Sequence, residues 1–341
     1  MKKYRAAIVG CGRIASTFAA DPKRKGVSTH AQAYQKNRAT ELVAACDLDE
    51  TRLNDFSKRW GVKNLYRDFR EMLEKEKIDF VSICTWNASH EALARQAVDA
   101  GVRGLVCEKP IADTLLAADK MIQFCSRKKI PLLVNYTRRY VKLYHQVKKM
   151  LESGEFGRIQ GVSAYYTAGA INTATHLFDF LRYFFGDVDW VFADPAQAVG
   201  SGDVSYSGYL HFKVGFGCTL TALDVSDYLV FEADIYGSKK RLRLTESGSQ
   251  ASVWKAVPHP MFSGYKALKE EKGLSGDLSE GLLGMIENLV QCAQGKQTPF
   301  CSGEDGLASL EIAAALRESF KNKGKIVKLP LKNRSAQLSS K

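Results

Sequence analysis

Tyr4-Arg5-Ala6-Ala7-Ile8-Val9-Gly10-Cys11-Gly12-Arg13-Ile14-Ala15 decides how this chain is read. An apolar run of one strand's length breaks straight into Gly-x-Gly-x-x-Ala. Each small residue in that spacing has a mechanical use. Gly10 permits a tight turn, Gly12 lets a pyrophosphate approach the backbone, and Ala15 lets a helix pack closely on the strand. The unpaired amides at the helix start then face the phosphate. Such glycines also occur in ordinary turns, but here they follow a strand and precede a helical pattern. Gly10, Gly12, Arg13 and Ile14 are therefore candidate cofactor-binding residues.

Outward from this motif the first 135 residues alternate two rhythms. Arg5–Val9, Leu42–Cys46, Phe80–Cys84, Gly104–Cys107 and Leu132–Asn135 are short and β-rich, whereas Glu50–Trp60, Phe69–Lys75, His90–Ala100 and Leu115–Lys128 space apolar residues by three and four. Near-continuous apolar strands separated by amphipathic helices imply βαβ units and a parallel sheet covered on both faces. Crossovers of that kind are right-handed, which leads to a doubly wound fold with ligands beyond the carboxyl ends of the strands.

Those ends carry the remaining candidates. Asp47 closes the second strand, where a carboxylate accepts from the adenosine ribose hydroxyls and repels a 2′-phosphate, favouring NAD over NADP. It stands 35 residues after Gly12, against the usual ~20. The polar Asp21–Thr29 segment, read as an insertion after a shortened first helix, accounts for the excess. Alternatively, Asp47 with Asp49 and Glu50 only caps a helix. Thr85, Asn87 and His90 leave the next strand within reach of a dinucleotide, although Asn87 or Ser89 also suits a helix cap. Glu108-Lys109-Pro110 and Asn135 follow at two further strand ends.

Composition sets the outer bounds. The chain has 341 residues, 45% hydrophobic and 25% charged, which excludes collagen-like, coiled-coil and mostly disordered classes and suggests two domains. Of the net charge of +12, seven positive charges fall within residues 321–341, which hold no acid, so the other 320 residues carry +5. That distribution reads as a solvated basic tail over 331–341, not as a nucleic-acid partner. Eight cysteines without a C-x-x-C pair argue against a disulfide framework and against a metal site. No apolar run reaches 18 residues, so no membrane span is expected. The basic, then apolar start is too short for a secretory signal. A cytoplasmic protein is expected.

The rhythm changes after Asn135. Tyr140–Glu152 reads as a connecting helix. Ile159–Tyr166, Ser205–Lys213, Gly217–Asp224, Val230–Tyr236 and Arg241–Thr245 are strand-like without intervening helices, and Leu282–Ala293 and Gly306–Phe320 have helical spacing. The expected division is a dinucleotide-binding domain over 1–136, an α/β domain over 137–330, and the tail.

Gly10–Ala15, Asp47, the Thr85–His90 turn, Glu108-Lys109-Pro110 and Asn135-Tyr136-Thr137-Arg138-Arg139 occur in one order. In that order the chain resembles the Gfo/Idh/MocA oxidoreductases, from Tyr4 to about Leu329. The resemblance implies an N-terminal Rossmann domain with a doubly wound parallel sheet. It also implies a C-terminal α/β domain with an open, mainly antiparallel sheet, one face over the nicotinamide and substrate and the other often joining subunits as a homodimer or homotetramer. A last helix near 303–322 would pack back on the first domain. It further implies a substrate-facing histidine at His176, in Thr173-Ala174-Thr175-His176, with Asp179 as the acid three residues later. The family's aspartate four residues before that histidine is Asn172 here, and its glycine two before is Ala174. Asn172 orients a hydroxyl but cannot accept a proton.

The implied activity is hydride transfer between a nicotinamide and a hydroxyl or carbonyl carbon of a sugar, inositol or sugar derivative. A base must then take the hydroxyl proton as the carbonyl forms. Lys109 is expected to polarise the reacting oxygen with Glu108 restraining it, and His176 to exchange the proton. Arg139, Tyr166 and Asn172 are further candidate substrate contacts. Two other readings stay open: a non-catalytic cofactor- or sugar-sensing regulator, and a glycosidase assisted by tightly held NAD. Cys11, Cys46, Cys84 and Cys107 all fall at strand ends on the dinucleotide side, so bound NAD is expected to slow their alkylation.

Overall fold

The computed structural model describes residues 3–338; Lys341, counted in the basic stretch, lies outside the described residues. The chain divides into two compact units. Unit 1 holds the described residues up to Tyr140 together with Ser279–Leu307 and Arg334–Gln337, and unit 2 holds Val141–Leu278, Ala308–Asn333 and Leu338.

Unit 1 opens with β1 (Tyr4–Val9), α1 (His30–Lys36), β2 (Thr40–Cys46), α2 (Glu50–Trp60), β3 (Asn64–Tyr66) and α3 (Phe69–Lys75). It continues with β4 (Phe80–Ile83), α4 (His90–Asp99), β5 (Gly104–Cys107), α5 (Leu115–Arg127) and β6 (Leu132–Val134). Its six strands lie in the order β3-β2-β1-β4-β5-β6, all parallel. That is the Rossmann order, with the reversal between β1 and β4. Ala6, Ala7, Ile8 and Val9 of β1 and all of β4, β5 and β6 are buried, as apolar strands covered on both faces must be. Asp49 caps α2 by accepting from the Thr51 and Arg52 amides, and Thr114 caps α5 through Ala117.

The first crossover is shorter in helix than the glycine motif suggests. Ser16 N donates to Gly12 O and Phe18 N to Arg13 O, each at 2.9 Å, and a single 3-10 turn follows over Thr17–Ala20. The chain then runs without regular structure over 21–29 before α1 starts at His30, where the segment read as an insertion lies. Within it the Arg24 guanidinium lies 3.7 Å from the Phe18 ring centroid, and that of Arg13 lies 4.7 Å away.

Unit 2 contains α6 (Lys142–Glu152), β7 (Ile159–Tyr166), α7 (Thr175–Phe185), β8 (Val188–Val199), β9 (Ser205–Phe212), β10 (Gly217–Ala222), β11 (Phe231–Gly237), β12 (Lys240–Thr245), β13 (Gln250–Pro258) and β14 (Lys266–Ser275). Ser279–Leu307 then gives α8 (Glu280–Ala293) to unit 1, and α9 (Gly303–Lys321) begins there before continuing in unit 2. With β15 (Val327–Lys328), unit 2 has nine strands ordered β14-β13-β12-β11-β7-β10-β9-β8-β15. Only the β7–β10 pair is parallel, so the sheet is mainly antiparallel as expected.

Part of the C-terminal stretch departs from the solvated-tail expectation. Arg334 makes a two-pronged ion pair with Asp119 on α5, and its carbonyl accepts from Leu116 N at 2.8 Å. Leu331 and Leu338 are buried. An apolar residue on each side of the arginine, with a carboxylate to meet it, docks the segment. Among the described residues no helix is long and apolar enough to cross a membrane.

Candidate active site

The strand order sets the loops after β2, β1, β4, β5 and β6 side by side along the carboxyl edge of unit 1. Gly10 makes the first turn at φ +89°, and a Cβ there would lie 2.8 Å from Cys84 C and Thr85 N. Only glycine allows this approach. Gly12 is different: a Cβ there would meet nothing within 4 Å, so the space above the backbone is open. Asp47 closes the turn by accepting from Cys11 N at 2.6 Å and from Asp49 N at 2.9 Å. Two carboxylate oxygens have about four lone pairs, so capacity for ribose hydroxyls is left over.

Thr85 and Ser89 hydroxyls are 2.7 Å apart, and Ser89 donates its proton to Trp86 O at 2.8 Å. Thr85 is then the donor to Ser89, leaving its oxygen to accept. Asn87 Nδ2 donates to Ala112 O at 3.4 Å. Trp86, between them, is 61% exposed.

Lys109 is half-buried beside the buried Glu108, whose Oε2 accepts from Lys109 N at 3.3 Å. Glu108 Oε1 faces His30 Nε2 at 2.8 Å and accepts from Asn135 Nδ2 at 2.6 Å. On its other side the His30 ring meets Ser82 Oγ at 3.1 Å, which meets the Tyr34 hydroxyl at 2.8 Å. Burial alone would raise the Glu108 carboxyl, but the His30 hydrogen bond and charge, the Asn135 amide and the Lys109 ammonium outweigh it. The group is held below the usual carboxylate range and stays ionised. Sequence reasoning missed His30, Ser82 and Tyr34. Nothing in the spacing of α1, which carries His30 and Tyr34, or of β4, which carries Ser82, marks them, because only the folded sheet brings them to Glu108.

His90 belongs elsewhere than expected. It is buried, with Nδ1 3.1 Å from Ile111 O and Nε2 3.0 Å from Thr85 O. Desolvation keeps its pKa low, opposed in part by those carbonyls. The ring ties the β4 and β5 loops together and is spent inside the protein.

In unit 2, β7 leads through Ala168 (φ +61°) into a π-helical turn, Gly169–Ala174, and then α7. Thr175 Oγ1 donates to Ile171 O at 2.7 Å, and Asn172 Nδ2 to Ala168 O at 3.3 Å. Asp203, from the β8–β9 connection, accepts from the Ile171 and Asn172 amides. Asn172 is exposed and His176, the second residue of α7, is half-buried. Turns of this π type are frequent at functional sites.

Two expected substrate contacts are corrected. The buried Tyr166 hydroxyl donates to Tyr206 O at 2.9 Å and accepts from Tyr206 N at 2.7 Å. The buried Arg139 guanidinium donates to Asp305 Oδ1 at 2.9 Å and to Phe300 O at 3.1 Å. Both side chains are satisfied by the protein, so neither is carried into the site. Among the described residues no cluster of three or more His, Cys, Asp or Glu is placed to hold a metal ion.

The open space above Gly12 and the buried Asn135 Oδ1, which has no hydrogen-bond partner among the described residues, fit a bound dinucleotide. Comparison with known proteins agrees. Residues 4–136 match the model of an oxidoreductase family with an NAD-binding Rossmann fold, and residues 167–329 match its C-terminal alpha/beta domain. D-apiose dehydrogenase of Paraburkholderia graminis is 32% identical over 205 residues, spanning 55% of this chain and about half, 51%, of that relative. Myo-inositol 2-dehydrogenase of Thermotoga maritima is 26% identical, covering 94% of this chain and 97% of the relative. The crystal structure of the WlbA dehydrogenase from Bordetella pertussis, in complex with NADH and UDP-GlcNAcA, shares the fold with a TM-score of 0.77 at 24% identity, covering 97% of this chain and 99% of that one. With both of its halves matched, the chain belongs to the Gfo/Idh/MocA family of oxidoreductases.

Proposed function

We propose that the chain is an NAD-dependent dehydrogenase or reductase acting on a sugar, an inositol or a sugar derivative. The observation that carries this is the carboxyl edge of unit 1, where the Gly10 turn, Asp47, Lys109 and Asn135 stand at the ends of β1, β2, β5 and β6. The dehydrogenase names of the relatives support the substrate class.

Gly10, Gly12, Arg13 and Ile14 would hold the diphosphate through the backbone, Asp47 the adenosine ribose, and Thr85, Asn87 and Asn135 the remainder. The Asp47 carboxylate favours NAD over NADP by repelling a 2′-phosphate. When bound, the nicotinamide supplies the carbon that accepts or gives the hydride. Lys109 donates a hydrogen bond to the substrate oxygen and stabilises negative charge on it, while ionised Glu108 restrains the lysine backbone. In oxidation the C–H hydride leaves the carbinol carbon and His176 takes the hydroxyl proton at a ring nitrogen; in reduction it returns that proton. Asn172 orients a neighbouring hydroxyl.

The test is a panel of sugars, inositols and nucleotide sugars with NAD+ and NADP+. Turnover is expected with NAD+. His176→Ala should lower it about 100-fold or more while leaving ADP-ribose binding unchanged, and Asp47→Ser should shift the balance toward NADP+. Absence of binding to either cofactor overturns the reading; tight binding without turnover on the whole panel favours the regulator instead.

The proposal extends to a homodimer or homotetramer in the cytoplasm. Tyr228, Leu229, Met261, Phe262 and Tyr265 of unit 2 are each more than half exposed, and large apolar side chains of this kind are what a subunit interface would cover. All eight cysteines are free thiols, which suits a reducing compartment. Light scattering checks the assembly.

A further inference from the structure

The two ends of the Asn135 amide have different fates. Nδ2 donates to Glu108 Oε1, while Oδ1 is equally buried and has no hydrogen-bond partner among the described residues. The amide cannot simply be reversed. A carboxylate only accepts, so His30 Nε2 carries a proton and holds Glu108 Oε1 from the other side. A reversed Asn135 would set oxygen against oxygen at 2.6 Å. The network therefore leaves a single amide oxygen as an acceptor at the end of β6. Buried acceptors without a donor are rare and costly in native proteins, which points to a donor supplied by a ligand.

Position selects that donor. Asp47 ends β2 and Asn135 ends β6, with β1, β4 and β5 between them. At ~4.8 Å per strand step, the two ends are roughly 20 Å apart. A dinucleotide whose ribose meets Asp47 and whose diphosphate meets the Gly10–Gly12 turn has its adenine at the Asp47 end. The N–H donor that it brings to the far end is the carboxamide amine of its redox ring.

We propose that Asn135 Oδ1 accepts from that carboxamide N–H, and that His30 is the positioning residue which, through Glu108, keeps the Asn135 amide turned to do so. The proposal rests on the dehydrogenase reading. Asn135 thereby selects the carboxamide among ring substituents and fixes its rotation. His30 touches neither substrate nor cofactor.

The experiment is a set of binding titrations with NAD+, with 3-acetylpyridine adenine dinucleotide, in which a methyl ketone replaces the carboxamide, and with ADP-ribose, which lacks the ring. The wild type should bind NAD+ about tenfold more tightly than the acetylpyridine analogue, the worth of one hydrogen bond. Asn135→Ala should bind the two equally. His30→Leu should lose most of the preference, and His30→Gln, whose amide still donates to Glu108, should keep it. ADP-ribose affinity should be the same in every variant, which separates loss of the contact from loss of the fold. If the wild type fails to bind ADP-ribose, the dinucleotide reading itself falls. If ADP-ribose binds but the preference is absent, or survives in Asn135→Ala, the Asn135 contact is overturned. If it survives in His30→Leu, the positioning role is overturned.

Discussion

Asp203 accepts a hydrogen bond from the backbone amide of Asn172 at 2.7 Å, and its other oxygen takes the Ile171 amide at 3.0 Å. Where the family places a side-chain carboxylate at position 172, this chain has a neutral amide and brings a carboxylate to its backbone from the β8–β9 connection. The turn so held carries Asn172 and runs directly into α7, which carries His176. Gly169 is packed against the same residue, since a Cβ there would come within 2.1 Å of Asp203 Oδ2. Asp203 thus fixes the conformation that presents both candidate groups, although nothing in the sequence near residue 172 announces it.

Replacing Asp203 by alanine removes two charge-assisted hydrogen bonds, each worth about 1.5–3 kcal/mol. We expect kcat/KM to fall at least about tenfold with ADP-ribose affinity unchanged, because that affinity belongs to unit 1. Asp203→Asn, which keeps one acceptor, should fall between. A folded Asp203→Ala protein with unaltered kinetics would show that the turn holds itself.

Arg139 gives a contrasting expectation. Its guanidinium is buried against Asp305, which also accepts from Ser302 N at 3.0 Å and so caps α9. Truncation to alanine takes a buried cation away from this partly buried carboxylate, a loss of about 3 kcal/mol. Arg139→Ala should therefore lower the melting temperature of the protein clearly while substrate KM stays as it was. A raised KM at unchanged stability would return Arg139 to the substrate site. Calorimetric melting with parallel kinetics decides.

Acid should destabilise the chain in two stages. Desolvation holds His90 below its ordinary 6.5, so the unfolded chain binds the proton more readily than the native one. The stability this contributes is fully present above about pH 6.5 and is lost as pH falls from there through the native value. Glu108 is also depressed, burial being outweighed by His30, Asn135 and Lys109, so its contribution holds above 4.5 and disappears below, through its native value. Melting temperature should accordingly decline as pH falls below neutrality, and decline further below about 4.5. His90→Gln cannot titrate and should flatten the first decline. A wild-type melting temperature that rises between pH 7 and pH 5 would contradict a His90 pKa lowered by burial.

The fold was legible where physics is local. Glu50–Trp60 and Phe69–Lys75 are helices over those very bounds, and Ile159–Tyr166 is a strand over its own, because amphipathic and alternating patterns report burial directly. β8 was not, since Asp194 and Pro195 interrupt it where the register shifts between Ala193 and Ala198. β14 was not either: it is a charged, exposed edge strand, paired to β13 through its backbone rather than through an apolar face. Within the candidate site, glycines, strand-end acids and Glu108-Lys109-Pro110 are readable because their place follows from the strand ends alone. The His30–Glu108 contact joins residues 78 apart and exists only after the sheet is built. Tyr166 and Arg139 failed for the same reason, since the sequence names a polar side chain but not the partner that satisfies it.

Thiol chemistry reads the dinucleotide edge without any substrate. Cys11, Cys46 and Cys107 are buried, and Cys84 at the end of β4 is half-buried. Burial pushes Cys46 up to about 12 and raises Cys11, Cys84 and Cys107 as well, so all four react slowly as thiolates. Cys84 is the accessible one, and its carbonyl carbon lies at the Gly10 turn. Cys292 is half-buried too, pushed up to about 11 by burial. It lies near the opposite edge, because Arg103, just before β5, donates to Ala293 O at 3.4 Å. Saturating NAD+ should slow alkylation of Cys84 several-fold and leave Cys292 unchanged, as followed by peptide mass mapping over time. Equal protection of both would indicate general tightening of the protein, and protection of neither would remove the cofactor from this edge.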